Sequence, residues 1–296
     1  MTSPQNGFYP KHLLSQSYST LTRLNTLDVH LPDPSSTAAF RGQQYWIIYI
    51  HGGAWRDPSS SSAGVLPTLE YLSPAELPIA GVASLNYRLS PYPHHGTDPS
   101  SPDDPARNAQ HPAHIEDVLT AIEWLQRKYE IGNKYVVVGH SCGATLAFQV
   151  VMRKWLPPGE TADGDAMKLP VAVIGVEGIY DLRMLEEKYS AVPMYHQFLE
   201  AAFGPIMTQW DAASPTDGKF SEGWIEGKLT VLAHSDEDQL VDWGQVERMQ
   251  ATLKREQKDG RKDVIFKLQG DHNEIWAEGK ELAKAIKYGL SLLISQ

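Results

Sequence analysis

The 296-residue chain contains a single cysteine, Cys142, so it has no internal disulfide and no cysteine-rich zinc site. A reducing, cytoplasmic compartment is the expectation that follows. No uninterrupted apolar run approaches the roughly 18 residues that a membrane span needs. A block of cations is missing too. With 26 Lys and Arg against 36 Asp and Glu, and a net charge of −10, neither a nucleic-acid backbone nor an anionic membrane is an expected partner. The first ten residues have no charged stretch followed by an apolar one, so no secretory leader is expected. There is no internal repeat and no clean linker. Hydrophobic residues at 42% and charged residues at 21% exclude disordered and collagen-like chains and leave ample material for a core.

What is present alternates between strand and helix. Leu21–Leu31 partly alternates and reads as one or two edge strands, stopped by Pro32 and Pro34. Tyr45–Ile50 is apolar on both faces, as a strand covered on both sides must be. A helix is expected near 63–72 and a strand over Ile79–Tyr87. Ile115, Val118, Leu119, Ile122 and Leu125 share one helical face. Strands follow at 135–138, 171–176, 229–233 and 264–268. Between them lie a buried helix at 144–155, helical pieces through 182–227 and a helix at 240–256. Leu282, Ile286, Leu290 and Leu293 mark a last helix. This order predicts an α/β fold: one domain with a mostly parallel sheet, helices on both faces and a small inserted cap near 182–227. The polar, Pro-, Ser-, Asp- and His-rich segment from Ser90 to about Pro112 reads as a functional lid or a disordered loop.

The strongest chemical signal is Gly139-His140-Ser141-Cys142-Gly143, which matches G-x-S-x-G. Glycine accounts for 23 of 296 residues, so chance supplies the pattern in roughly one chain in ten. A β-type run just before it and a helix just after it give it weight, because a sharp strand-to-helix turn projects the serine Oγ. The flanking glycines are needed where strand and helix pack too closely for a Cβ. A serine hydroxyl needs a base, itself held by an acid. Of the histidines after Ser141, His272 is favoured because it sits in a turn between the last strand and last helix; His234 and His196 are the alternatives. The acid is sought in the turn after 229–233, where Asp236, Glu237, Asp238 and Asp242 crowd. Asp238 is favoured because the apolar pair Leu240 and Val241 follows it; Asp236 is its rival. His51-Gly52-Gly53-Ala54-Trp55 follows a buried strand. The N–H groups of Gly52 and Gly53, with that of Cys142, are the expected oxyanion donors. Trp55 is either a wall of the acyl pocket or plain core packing. Cys142 is expected to act as a small hydrophobe rather than a nucleophile. His94, His95, His111 and His114 could form only a loose metal cluster, and a solvated loop is the better account; no metal site is expected.

Taken together, the strand with His51-Gly52-Gly53-Ala54-Trp55, the Asn86–Pro91 stretch Asn-Tyr-Arg-Leu-Ser-Pro and Gly139–Ala144 resemble the α/β-hydrolase superfamily, on its hormone-sensitive-lipase-like side. Within it the chain is most similar to the fungal kynurenine formamidases (arylformamidases). His111–Ile115, His234–Asp238 and Asp271–Asn273 resemble their loop, acid and histidine segments. Ala54 stands where lipase-like relatives often have a third glycine. The resemblance implies Ser141 as nucleophile, His272 as base and Asp238 as orienting acid. It implies hydrolysis of N-formyl-L-kynurenine to L-kynurenine and formate in tryptophan breakdown toward nicotinamide nucleotides, without metal or organic cofactor. A general carboxylesterase is the alternative. A homodimer is the assembly considered, although no sequence feature specifies it.

Overall fold

A computed structural model describes residues 7–155 and 167–295. Eight strands form one sheet: β1 (Lys11–Ser17), β2 (Thr26–Leu31), β3 (Tyr45–Ile50), β4 (Ile79–Leu85), β5 (Tyr135–His140), β6 (Ala172–Val176), β7 (Leu229–Ser235) and β8 (Lys262–Leu268). Their spatial order is β1-β2-β4-β3-β5-β6-β7-β8. β1 and β2 are antiparallel, as are β2 and β4, and from β4 onward every neighbouring pair is parallel. Of the one or two edge strands expected over 21–31 only β2 forms, over Thr26–Leu31, and it is not an edge, because β1 and β4 flank it. Its partner β1 lies farther upstream, in residues that are half-exposed and carry no alternating pattern.

The helices divide between the two faces. On one lie α2 (Ala113–Tyr129), α3 (Cys142–Met152) and α8 (Gly244–Arg255). On the other lie the single turn α1 (Leu66–Leu69), α9 (Glu274–Ala277) and α10 (Lys280–Ile294). The helix expected near 63–72 is only a 3-10 turn, Ser62–Val65, running into α1. All four apolar positions of the last helix are buried, each contributing about 1.5–3 kcal/mol. Between β6 and β7 the chain forms α4 (Leu182–Lys188), α5 (Pro193–Phe203), α6 (Met207–Ala213) and α7 (Phe220–Gly223).

The polar segment after β4 is folded rather than open. Leu89 bonds across it through both backbone groups: its N–H donates to Ala106 O and its carbonyl accepts Ala109 N–H. Arg107 is buried within it and pairs with Asp98 at 2.9 Å. The four histidines considered as a metal cluster are spent separately. His114 Nε2 lies 2.9 Å from Ser90 Oγ, His111 packs edge-on against Trp155, His95 packs edge-on against Tyr92, and His94 is exposed.

Just past β4, Arg88 grips Asp117 of α2 through Nε and Nη2, and Asp117 also accepts the Arg88 backbone N–H. This pair ties the end of β4 to α2. It also fixes Tyr87, whose hydroxyl donates to His51 O at 3.0 Å, beneath the Gly52-Gly53 turn. Replacing Asp117 with Ala strands a largely buried guanidinium. We expect Asp117→Ala to lower stability by about 2–4 kcal/mol, since Arg88 keeps partial access to water. Urea unfolding measures it, and a loss below about 1 kcal/mol would show the clamp to be ornamental.

Candidate active site

Ser141 stands alone between β5 and α3 with φ 56° and ψ −124°, a conformation that L residues rarely adopt. The glycines on either side are sterically compulsory. A Cβ on Gly139 would lie 2.1 Å from Gly143 O, and one on Gly143 would lie 2.2 Å from Ile50 O. The start of α3 thus rests directly on the end of β3. There a Cβ on Gly52 would meet the His140 ring at 2.9 Å and Ser141 Cβ at 3.0 Å. Gly53, Ala54 and Trp55 all have positive φ, so the chain coils back on itself beside the serine. The N–H groups of Gly52, Gly53 and Cys142 donate to no backbone acceptor among the described residues. Gly52 O, in contrast, is held by Tyr87 Oη and His51 Nδ1.

His272 is brought to the same place from the other end of the chain. Its Nδ1 lies 2.7 Å from Asp238 Oδ2. A carboxylate only accepts, so the hydrogen sits on Nδ1 and Nε2 keeps its basic lone pair. Asp238 Oδ1 accepts the backbone N–H groups of Leu240 and Val241, at 2.8 and 2.9 Å. Burial acts to raise the Asp238 pKa, but the hydrogen bonds from His272 and Glu177 outweigh it and hold the carboxyl well below its ordinary range. The rival Asp236 points outward to Lys267 at 2.8 Å, with two thirds of its side chain exposed. Glu237 and Asp242 take no part in this contact. His196 is half-exposed beside Glu186 and Glu200.

Ser141 and His272 line one cavity of about 260 Å³, walled by Ile179, Met194, Tyr195, Phe198 and Trp276, with Tyr92 and Arg56. Trp55 does not line it. The positive φ at Trp55 turns the indole into the core, fully buried and edge-on to Phe203 at 4.9 Å, so the packing alternative describes its position and the acyl-wall expectation is corrected. Cys142 is fully buried and its Sγ accepts Trp55 N–H at 3.3 Å; burial raises the thiol to about 11, far from a nucleophile.

Three residues around this site take roles that the sequence does not assign them. His140 Nε2 donates to His272 O at 3.0 Å, so the residue before the serine anchors the histidine loop. The other two form a buried layer behind Asp238. Glu177 follows β6 directly, fully buried and at φ 48°. Its Oε1 accepts Ser235 N–H at 2.9 Å, and its Oε2 is 2.9 Å from His234 Nδ1. His234 Nε2 meets Val241 O at 3.0 Å, which places that ring's hydrogen on Nε2 and leaves Nδ1 an acceptor. Burial, then the adjacent Asp238, raises the Glu177 carboxyl to about 11, and burial lowers His234. Both are therefore neutral at pH 7, and the proton on Glu177 faces His234 and Asp238. Glu177, His234 and Asp238 are the one group among the described residues with metal-ligand composition and spacing. Asp238 already accepts from Leu240, Val241 and His272, while Glu177 Oε2 and His234 Nδ1 face each other with no other partner among the described residues. The only trace of Glu177's role in the residues is an acid placed at the end of a wholly apolar strand.

Compared with known proteins, residues 27–253 match the family model described as BD-FAE. The chain belongs to the BD-FAE family. It is 40% identical over 286 residues to a kynurenine formamidase-like hydrolase of Fusarium equiseti, covering 92% of this chain and 91% of that one. It is 34% identical over 279 residues to a kynurenine formamidase of Aspergillus versicolor, covering 87% and 92%. Among solved structures it is similar to a truncated carbohydrate esterase from gut microbiota, with a TM-score of 0.65 and 19% identity over 98% of this chain and 100% of that one. Esterase B of Lactobacillus rhamnosis superposes with a TM-score of 0.66 at 16% identity, over 96% and 84%. These likenesses show the α/β-hydrolase fold expected from the sequence. No helix among the described residues is long and apolar enough to cross a membrane.

The neutral state of Glu177 has a measurable consequence. Its carboxyl is raised from an ordinary value of 4.5, so the stability it contributes is full below about pH 4.5 and lost as pH rises toward 11. Glu177→Gln mimics the protonated acid at every pH. Its stability relative to the unaltered protein should climb between pH 5 and 9, by up to about 1.4 kcal/mol per unit. Urea titrations across that range read the difference, and parallel profiles would mean that Glu177 is ionised in the folded protein.

Proposed function

We propose that the protein is a serine hydrolase that cleaves N-formyl-L-kynurenine to L-kynurenine and formate. The observation that carries this reading is the convergence of Ser141, His272 and its Asp238 contact on a cavity in a chain 40% identical to a kynurenine formamidase-like hydrolase. Ser141 Oγ attacks the formyl carbon while His272 Nε2 takes its proton. The oxyanion turns to the N–H groups among Gly52, Gly53 and Cys142, where the loss of one donor typically costs about 2.7–4 kcal/mol. His272 then protonates the leaving arylamine nitrogen. A formyl-enzyme remains, and water activated by the same imidazole releases formate. An anilide nitrogen leaves more readily than an alkyl amine, so this machinery suffices without metal or cofactor. Asp238 holds the tautomer that makes Nε2 basic.

In the same reading the chain is one domain in which 182–227 is a cap, since Met194, Tyr195 and Phe198 of α5 wall the cavity. A cytoplasmic location is part of the proposal, supported by the single buried thiol. The small substrate is its partner, with neither nucleic acid nor membrane required. Sedimentation equilibrium tests the homodimer.

The carboxylesterase alternative rests on structural neighbours that are 16–19% identical and speak for the fold alone. The deciding experiment is a comparison of kcat/KM on N-formylkynurenine and on p-nitrophenyl acetate. We expect the formamide to be preferred, and preference for the ester would hand the site to the esterase reading. Ser141→Ala should abolish turnover with Tm unmoved, while Asp238→Asn should cut kcat by about 10⁴ through loss of the productive tautomer. If Asp236→Asn gave that loss instead, the acid would be misassigned.

A further inference from the structure

Arg56 follows the Gly52–Trp55 turn and is the one lysine or arginine among the residues lining the cavity. The residue is 7% exposed. The other buried or half-buried arginines in the described chain have carboxylate partners: Arg88 with Asp117, Arg107 with Asp98, Arg183 with Asp211 and Arg261 with Asp263. Arg56 has none within 4.0 Å, and its guanidinium donates no hydrogen bond among the described residues. Its nitrogens are not among the sealed, orphaned polar atoms, so they open onto the cavity. The guanidinium is held flat instead of being neutralised: Cζ lies 4.0 Å from the centre of the Tyr92 ring and 5.8 Å from that of Phe198. Burial lowers the Arg56 pKa, and the neighbouring Tyr92 and Asp57 oppose it. An arginine remains charged in such surroundings.

A buried cation without a counter-ion is costly, and in a cavity that also holds Ser141 it points to a ligand that supplies the anion. We propose that Arg56, stacked on Tyr92, is the subsite that receives a free carboxylate on the substrate. This rests on the hydrolase reading of the site and assigns the substrate class: an aryl formamide that carries a carboxylic acid. A carboxylate fits better than a phosphate. The planar fork of one guanidinium matches two carboxylate oxygens, while a dianion would leave a charge unbalanced in a wall that offers no second lysine or arginine and includes Asp57. Specificity follows from the same asymmetry. A neutral ester or formamide leaves the guanidinium buried and unpaired, so it forfeits what the acid gains.

The test separates the subsite from the reaction. Calorimetric titration with 3-benzoylpropionate and with butyrophenone, the same aryl ketone without the carboxylate, reads anion binding with no turnover. We expect the acid to bind at least about tenfold more tightly to the unaltered protein, a preference that disappears in Arg56→Met and shrinks in Arg56→Lys. In turnover, the ratio of kcat/KM for N-formylkynurenine to that for formanilide should fall about 10²-fold in Arg56→Met, chiefly through KM. Equal affinity for the two ketones in the unaltered protein overturns the subsite, and needs no variant to fold. An unchanged substrate ratio in a folded Arg56→Met does so too, since a merely structural arginine would depress both substrates alike. If the unaltered protein ignores N-formylkynurenine yet shows an Arg56-dependent preference for the acid, the formamidase reading fails and the carboxylate subsite stands. If N-formylkynurenine is cleaved with indifference to Arg56, the subsite fails and the formamidase reading stands.

Discussion

Everything in the site depends on how closely α3 lies against the end of β3. Gly143 has no room for a Cβ beside the Ile50 carbonyl, and Gly139 has none beside Gly143. That approach stands Ser141 in its strained conformation. It also sets Gly52 against the serine Cβ, so nucleophile and oxyanion turn are parts of one contact. The strain of several non-glycine residues at positive φ, about 1–3 kcal/mol each, is sustained by the surrounding sheet. β3 and β5 are hydrogen-bonded neighbours at its centre, buried on both faces.

Around this contact the protein arranges charge by depth. Asp238 is kept ionised although buried, because an imidazole N–H and two backbone N–H groups surround it. A second carboxylate beside it would cancel that arrangement, and Glu177 avoids the clash by holding its proton. Two acids in contact thus take opposite states, separated by the donors each one has. His234, neutral and fixed by Val241 O, accepts rather than competes, so a residue considered as a base serves as packing behind the acid.

Much of this is legible in the residues. The apolar run Tyr45–Ile50 leading into two glycines, and Tyr135–Val138 leading into Gly-His-Ser, mark the central strands and both turns, because covered parallel strands have no polar face to confuse the pattern. Asp238 can be told from Asp236 because Leu240 and Val241 have to turn inward, and their N–H groups reach its carboxylate. Other features are hidden for physical reasons. β1 is half-exposed and has no period. The direction of the Trp55 indole depends on three consecutive positive φ values that no residue type there announces. Glu177 and Arg56 act through partners far away in sequence, and Arg56 stands out only once its lack of a carboxylate at ion-pair distance is seen in three dimensions.

Cys142 adjoins the serine in sequence yet is sealed beneath the Trp55 turn, with its thiol raised to about 11. Burial keeps the thiol protonated at neutral pH, and that sulfur is sealed from solvent. Oxidants and alkylating agents therefore meet no target while the chain is folded. Modification of this one sulfur becomes a clock for opening of the core around the Trp55 turn.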